Sequence, residues 1–193
     1  LSSSSAASDV YKRQGKTFTM QTMALRMRRK GIQVFIIAPL KGHEFYRAAR
    51  NVGGEFIQIS PASKNCINIM EIRKVDNSVN ELLDGPTLDA SALAGKIQRL
   101  HIFFSLLIPD MSHEEKQLLD EALIKTYARK GITHKNESLT DPQHPEQYKK
   151  MPILEDVYNV LLESEDTKRL AHILNRLVHG SASSFNQQTN VDL

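Results

Sequence analysis

GKTFTMQTMALRMRRKGIQVFIIAP, Gly15 to Pro39, changes from a helical period to a β-branched run within 25 residues. Met20, Met23, Ala24 and Met27 follow i, i+3, i+4, i+7, one face of a helix from about Lys16 to Lys30. Gly31 then supplies a C-terminal stop. Ile32-Gln33-Val34-Phe35-Ile36-Ile37 is nearly all apolar, and it reads as a strand buried on both faces of a parallel sheet, ended by Pro39. Outward from there, Glu44 to Val52 reads as a short helix closed by Gly53-Gly54, and Glu55-Phe56-Ile57-Gln58-Ile59 alternates as a second strand. The order loop, helix, strand, helix, strand predicts an α/β fold.

After about Asn80 the character changes. Leu93, Ile97, Leu100, Phe104 and Leu107 share one helical face, and Pro109 and a capping box of Ser112 with Glu115 come next. The helix that follows stops at Gly131. Residues Ile132 to Met151 are polar and turn-rich. Two more helices carry Leu154, Val157, Tyr158 and Leu161, then Leu170, Leu174, Leu177 and Val178, facing inward. Ala90 to His179 is thus expected to be a four-helix unit. The polar tail GSASSFNQQTNVDL ends in Val191-Asp192-Leu193, which reads as the beginning of another strand.

With 193 residues, 40% apolar and 24% charged, the chain has enough material for one core plus a small second unit. The longest apolar concentration, Ile102 to Pro109, is too short to span a bilayer. A single cysteine, Cys66, excludes an internal disulfide framework and reads as a buried thiol. LSSSSAAS lacks the basic start and apolar stretch of a secretory signal. SSAASDVYKRQ resembles a translated sequencing-library adapter, so residues 1–14 are expected to be non-native. Without them the formal charge of +3 falls to +2, weak support for a nucleic-acid partner.

Gly15-Lys16-Thr17 has the form of the end of a phosphate-binding loop running into a helix. In such a loop the lysine reaches the β- and γ-phosphates, the threonine hydroxyl coordinates Mg²⁺, and the helix aims its free N–H groups at the anion. The full formula also asks for a glycine at position 10, which is Val10 here. Hydrolysis needs a second acidic metal ligand at the end of an apolar strand. The run 34–37 ends in Ala38 instead. Arg26, Arg28, Arg29 and Lys30 complement the helix dipole, with nucleic-acid contact as the other reading. The histidines show no metal pattern: His172 and His179 are a heptad apart, and His134 and His144 sit in a polar loop. Gly180 to Ser184 fails the nucleophile elbow G-x-S-x-G.

GKTFTMQTMALRMRRKGIQVFIIAPLKGHEF, GGEFIQISPASKNCINIMEI, MPILEDVY and GSASSFNQQTNVDL together resemble the VirB-type cytoplasmic ATPases of conjugative type IV secretion systems, over essentially all of residues 15–193. The resemblance implies a partial RecA-like P-loop NTPase core with an all-α insertion. It divides the chain into an adapter-derived segment (1–14), partial α/β core (15–80), helical insertion (81–179) and a return toward the core (180–193). It implies ATP and Mg²⁺ as cofactors, held by Gly15, Lys16 and Thr17, with the Thr17 hydroxyl on the metal. It further implies a motor that powers conjugative transfer, is homo-hexameric, and works with secretion-channel proteins and indirectly with DNA. The expected place is cytoplasmic, against the inner face of the membrane. Two departures stand out: the family's glycines before Gly15 are absent, and Ala38-Pro39 replaces its common Asp-Pro. No catalytic residue is assigned, and residues 1–193 alone are expected not to hydrolyse ATP. The other readings are a DNA-translocating ATPase of the coupling-protein type and a non-catalytic helical interaction module.

Overall fold

The computed structural model describes residues 15–39, 42–60, 63–73, 91–180 and 185–191, which belong to two compact units, Leu1–Gln58 and Ile59–Leu193. The first unit holds helices α1 (Lys16–Arg29) and α2 (His43–Asn51). The second holds α3 (Ala92–Leu107), α4 (His113–Arg129), α5 (Leu154–Leu161) and α6 (Lys168–Val178), with 3-10 turns at Asn136–Leu139 and Glu165–Thr167.

The α/β expectation is overturned. Among the described residues there is no strand and no sheet, and the one β pairing is an isolated antiparallel bridge between Thr140 and Tyr148. Residues 32–38 and 54–59 run outside any helix, as expected of strands, yet neither is hydrogen-bonded to the other. An apolar, β-branched run states a preference for extended backbone and for burial, but a strand exists only when a neighbour completes the ladder. The described residues of the first unit supply no such neighbour. Phe35 and Ile37 stay 68% and 91% exposed, and neither α1 nor α2 contains a buried residue. The described chain is therefore helical, and the partial RecA-like core is not part of it. The change of character near Asn80 lies outside the described residues.

The helices themselves lie where their periodicity and caps put them, because both signals are local. Ser112 Oγ accepts from the Glu115 N–H at 3.0 Å while Glu115 Oε2 accepts from the Ser112 N–H at 2.9 Å, which closes the capping box of α4. At its other end the Gly131 N–H reaches the Ala128 carbonyl and the Ile132 N–H reaches Tyr127, satisfying two carbonyls the helix leaves over. Leu93, Ile97, Leu100 and Phe104 of α3 meet Leu119, Leu123 and Tyr127 of α4, Leu154, Val157 and Leu161 of α5, and Leu170, Leu174 and Val178 of α6 in one core. Each fully buried leucine contributes about 2 kcal/mol. Arg169 ties the start of α6 to α4 through Glu115 and the preceding Asp110, each at 2.6 Å.

Met70 and Ile72 join this core from the segment before α3. Lys96 on α3 is held there at a cost. Burial first, then the positive charges of Arg99 and Arg73, bring its ammonium from 10.5 down to about 8, with Glu71 partly opposing. The folded state thus disfavours the charged amine. The cost is full below pH 8 and disappears as pH rises through 10.5, where the unfolded chain also loses its proton. Stability should therefore rise between those values. Lys96→Met should raise Tm at pH 7 by about 2–4 °C and flatten that rise, measured by thermal melts from pH 7 to 10.

Candidate nucleotide-phosphate site

The start of α1 is shaped by Gly15, whose φ of 64° and ψ of 18° place it in the left-handed region. A side chain would strain that backbone by about 1 kcal/mol or more, although a Cβ there would meet nothing within 4 Å. Gly15 offers no side chain to cap the helix. Its carbonyl accepts the first helical bond, from the Thr19 N–H at 2.9 Å, so the N–H groups of Lys16, Thr17 and Phe18 lie ahead of the intrahelical ladder. No acidic residue stands in this first turn. The result is a positive helix end with an exposed lysine on it.

The threonines of α1 behave differently from one another. Thr19 Oγ1 donates to the Gly15 carbonyl at 3.1 Å and Thr22 Oγ1 to the Phe18 carbonyl at 2.9 Å, so both hydroxyls are turned back on their own helix. Thr17 has no carbonyl four residues back inside the helix to bond. Its half-exposed hydroxyl makes no such bond among the described residues. Gly15, Lys16 and Thr17 are contiguous, so the structure brings together all three residues expected at the site. The preceding half of the loop, including Val10, lies outside the described residues.

Other candidates take structural roles. Among the described residues no group of three or more His, Cys, Asp or Glu side chains is placed to hold a metal ion. His134 Nδ1 lies 3.2 Å from Ser91 Oγ, His101 pairs with Asp120 at 2.8 Å, and His179 packs edge-on to Tyr158 with centroids 5.3 Å apart. Cys66 is buried and reduced, as expected.

The tail holds the structural surprise. Asn190 Oδ1 accepts from the Cys66 N–H at 2.7 Å and its own N–H donates to the Cys66 carbonyl. Thr189 Oγ1 accepts from the Asn68 N–H, and Gln188 Nε2 donates to the Met151 carbonyl at 2.8 Å. Side chains of 187–190 thus stand in for a backbone ladder along 64–71, while Asn186 Oδ1 accepts from the Glu155 N–H at 2.8 Å. The run Asn186-Gln187-Gln188-Thr189-Asn190 was the signal available in the sequence, since such amides satisfy backbone groups when buried.

Comparison with protein-family profiles returns no match, and none is found among curated protein sequences. Among solved structures the chain is similar to VirB4 of Thermoanaerobacter pseudethanolicus, with a TM-score of 0.72 and 27% sequence identity over 93% of this chain. The chain spans 44% of that VirB4 chain. No helix among the described residues is long and apolar enough to cross a membrane.

Proposed function

We propose that this chain serves a type IV secretion ATPase and contributes the part of it that grips the phosphates of MgATP. The observation that carries the proposal is Gly15 at positive φ, opening a 14-residue helix at Lys16-Thr17 in a chain similar to VirB4. Lys16 supplies a point charge for the terminal phosphates. The first-turn N–H groups supply directional donors, and the Thr17 hydroxyl, not turned back on the helix, is available to the metal. Thr17 would hold Mg²⁺ through its hydroxyl, and the metal would supply charge neutralisation at the phosphates.

Hydrolysis asks for a further acidic ligand and a group that orients water. The described carboxylates of the first unit are Glu44 and Glu55, and the apolar run 32–37 is followed by Ala38 rather than by an acid. Residues 1–193 are therefore expected to bind MgATP weakly without turning it over. In the whole protein the same site would drive conjugative transfer from the cytoplasmic side of the membrane, in a ring of like subunits working with channel proteins.

Titration of residues 1–193 with a fluorescent ATP analogue, with and without Mg²⁺, tests this reading. Lys16→Ala should weaken binding by at least about tenfold, the worth of about 1.4 kcal/mol in a charge-assisted contact. Thr17→Ala should abolish the gain from Mg²⁺. Equal affinity in the wild type and Lys16→Ala would sink the nucleotide reading and leave a helical interaction module. Steady phosphate release by the isolated chain would refute binding without turnover.

A further inference from the structure

The two units differ in charge. Leu1–Gln58 carries ten Lys and Arg against three Asp and Glu, although the chain as a whole carries 25 against 22. The rest is therefore acidic, with 15 against 19. In the first unit Arg26, Arg28, Arg29 and Lys30 close α1, and Arg47 and Arg50 stand on α2; all six are exposed. None of them is in an ion pair among the described residues.

Complementing a helix dipole explains one or two cations in a last turn, because the effect saturates there. Four in five consecutive residues point in every direction around the helix, at 100° steps, and repel one another. Such an arrangement suits a ligand that brings several negative charges. Tyr46 adds a second chemistry. Tyr46 is 43% exposed as a residue, and its ring packs edge-on to Phe56 at 5.2 Å and lies under the Arg50 guanidinium at 5.8 Å. A fixed, half-open aromatic ring with an arginine over it is a platform on which a base can stack.

The two helices meet where Gln21 Nε2 donates to the Glu44 carbonyl at 2.7 Å. From that junction α1 runs about 13 Å further to Lys30 and α2 about 9 Å to Arg50. The arginine cluster and the Tyr46 platform are thus within about 30 Å of each other, the reach of a short single strand. We propose that the first unit binds single-stranded nucleic acid, with its phosphates on these arginines and a base on Tyr46. A membrane surface fits less well. Phe18 projects from the opposite side of α1 to Met20, Met23 and Met27, and cations surround the helix, whereas an interfacial helix separates its faces.

The test is fluorescence anisotropy of labelled dT20 and a 20-base-pair duplex with residues 1–193 at 50–300 mM salt. dT20 should bind more tightly than the duplex, with log K falling against log salt at a slope of about −3, for about four phosphate contacts. Arg28→Ala with Arg29→Ala should weaken binding about tenfold and flatten the slope by about 1.4, and the Arg→Lys pair should keep the slope. Tyr46→Ala should cost about tenfold at unchanged slope. Lys16→Ala, about 20 Å away at the other end of α1, should leave dT20 binding within about twofold, which separates this site from the nucleotide site. No binding at 50 mM salt, indifference to the arginine and Tyr46 variants, or association with phosphatidylglycerol vesicles in place of dT20 overturns the proposal.

Discussion

Asn68→Ala is expected to destabilise the second unit by about 3 kcal/mol, among the largest losses available from one polar side chain in this chain. Asn68 is 2% exposed, and its amide joins three segments. Its Oδ1 accepts from the Met70 N–H at 3.0 Å; its Nδ2 donates to the Pro152 carbonyl at 2.9 Å and to Gln188 Oε1 at 3.3 Å. Truncation leaves the Met70 N–H and the Pro152 carbonyl buried and unpaired, at about 1–3 kcal/mol each. It also frees Gln188 from one of its two partners. The midpoint of urea unfolding should drop without a change in slope, and amide exchange should quicken at residues 66–70 before it does in α4. A midpoint within error of wild type would mean that water replaces the lost bonds and that the clamp on the tail is not held at Asn68.

Tyr127→Ala is expected to be larger still, about 4–5 kcal/mol, and Tyr127→Phe about 1–2 kcal/mol. The ring is fully buried in the core where α4 meets the segment before α3, and its hydroxyl donates to the Met70 carbonyl at 2.5 Å. Alanine removes the ring and opens a cavity; phenylalanine keeps the ring and strands only the carbonyl. Burial also pushes the Tyr127 hydroxyl well above the usual tyrosine range, so it stays a donor throughout the stable range of pH. Denaturant melts of both variants measure the two parts separately. Equal losses in the two variants would show that the hydrogen bond, rather than the packing, carries the contribution of Tyr127.

The helices were legible because each announces itself within one or two turns. Leu93, Ile97, Leu100 and Phe104 are spaced for one face, and all four are buried; Ser112 and Glu115 are spaced for a capping box, and the box is closed. The helix start at Gly15-Lys16 was legible for the same reason, being set within one turn. The apolar run 32–37 was misleading. Its composition states what environment it would suit, but the described residues of the first unit supply neither the neighbouring strand nor the cover that would make it a buried strand. The tail was illegible in the opposite way: its Asn, Gln and Thr side chains look like loop composition until they are seen bonded to backbone more than 100 residues away.

By itself, then, the amino-acid order determined where six helices lie, which faces α3 to α6 bury, and that a lysine and a threonine follow a glycine at a helix start; the Met20, Met23 and Met27 face of α1 stays exposed. Those properties depend on 3.6-residue periodicity and on caps, which act over a few residues. Only the tertiary structure decided that, among the described residues, the extended runs stay unpaired, residues 187–190 grip 64–71, and the basic helix ends of the first unit make no ion pair. Pairing, burial and charge neutralisation are relations between distant segments, and they are settled by which surfaces meet when the chain closes on itself.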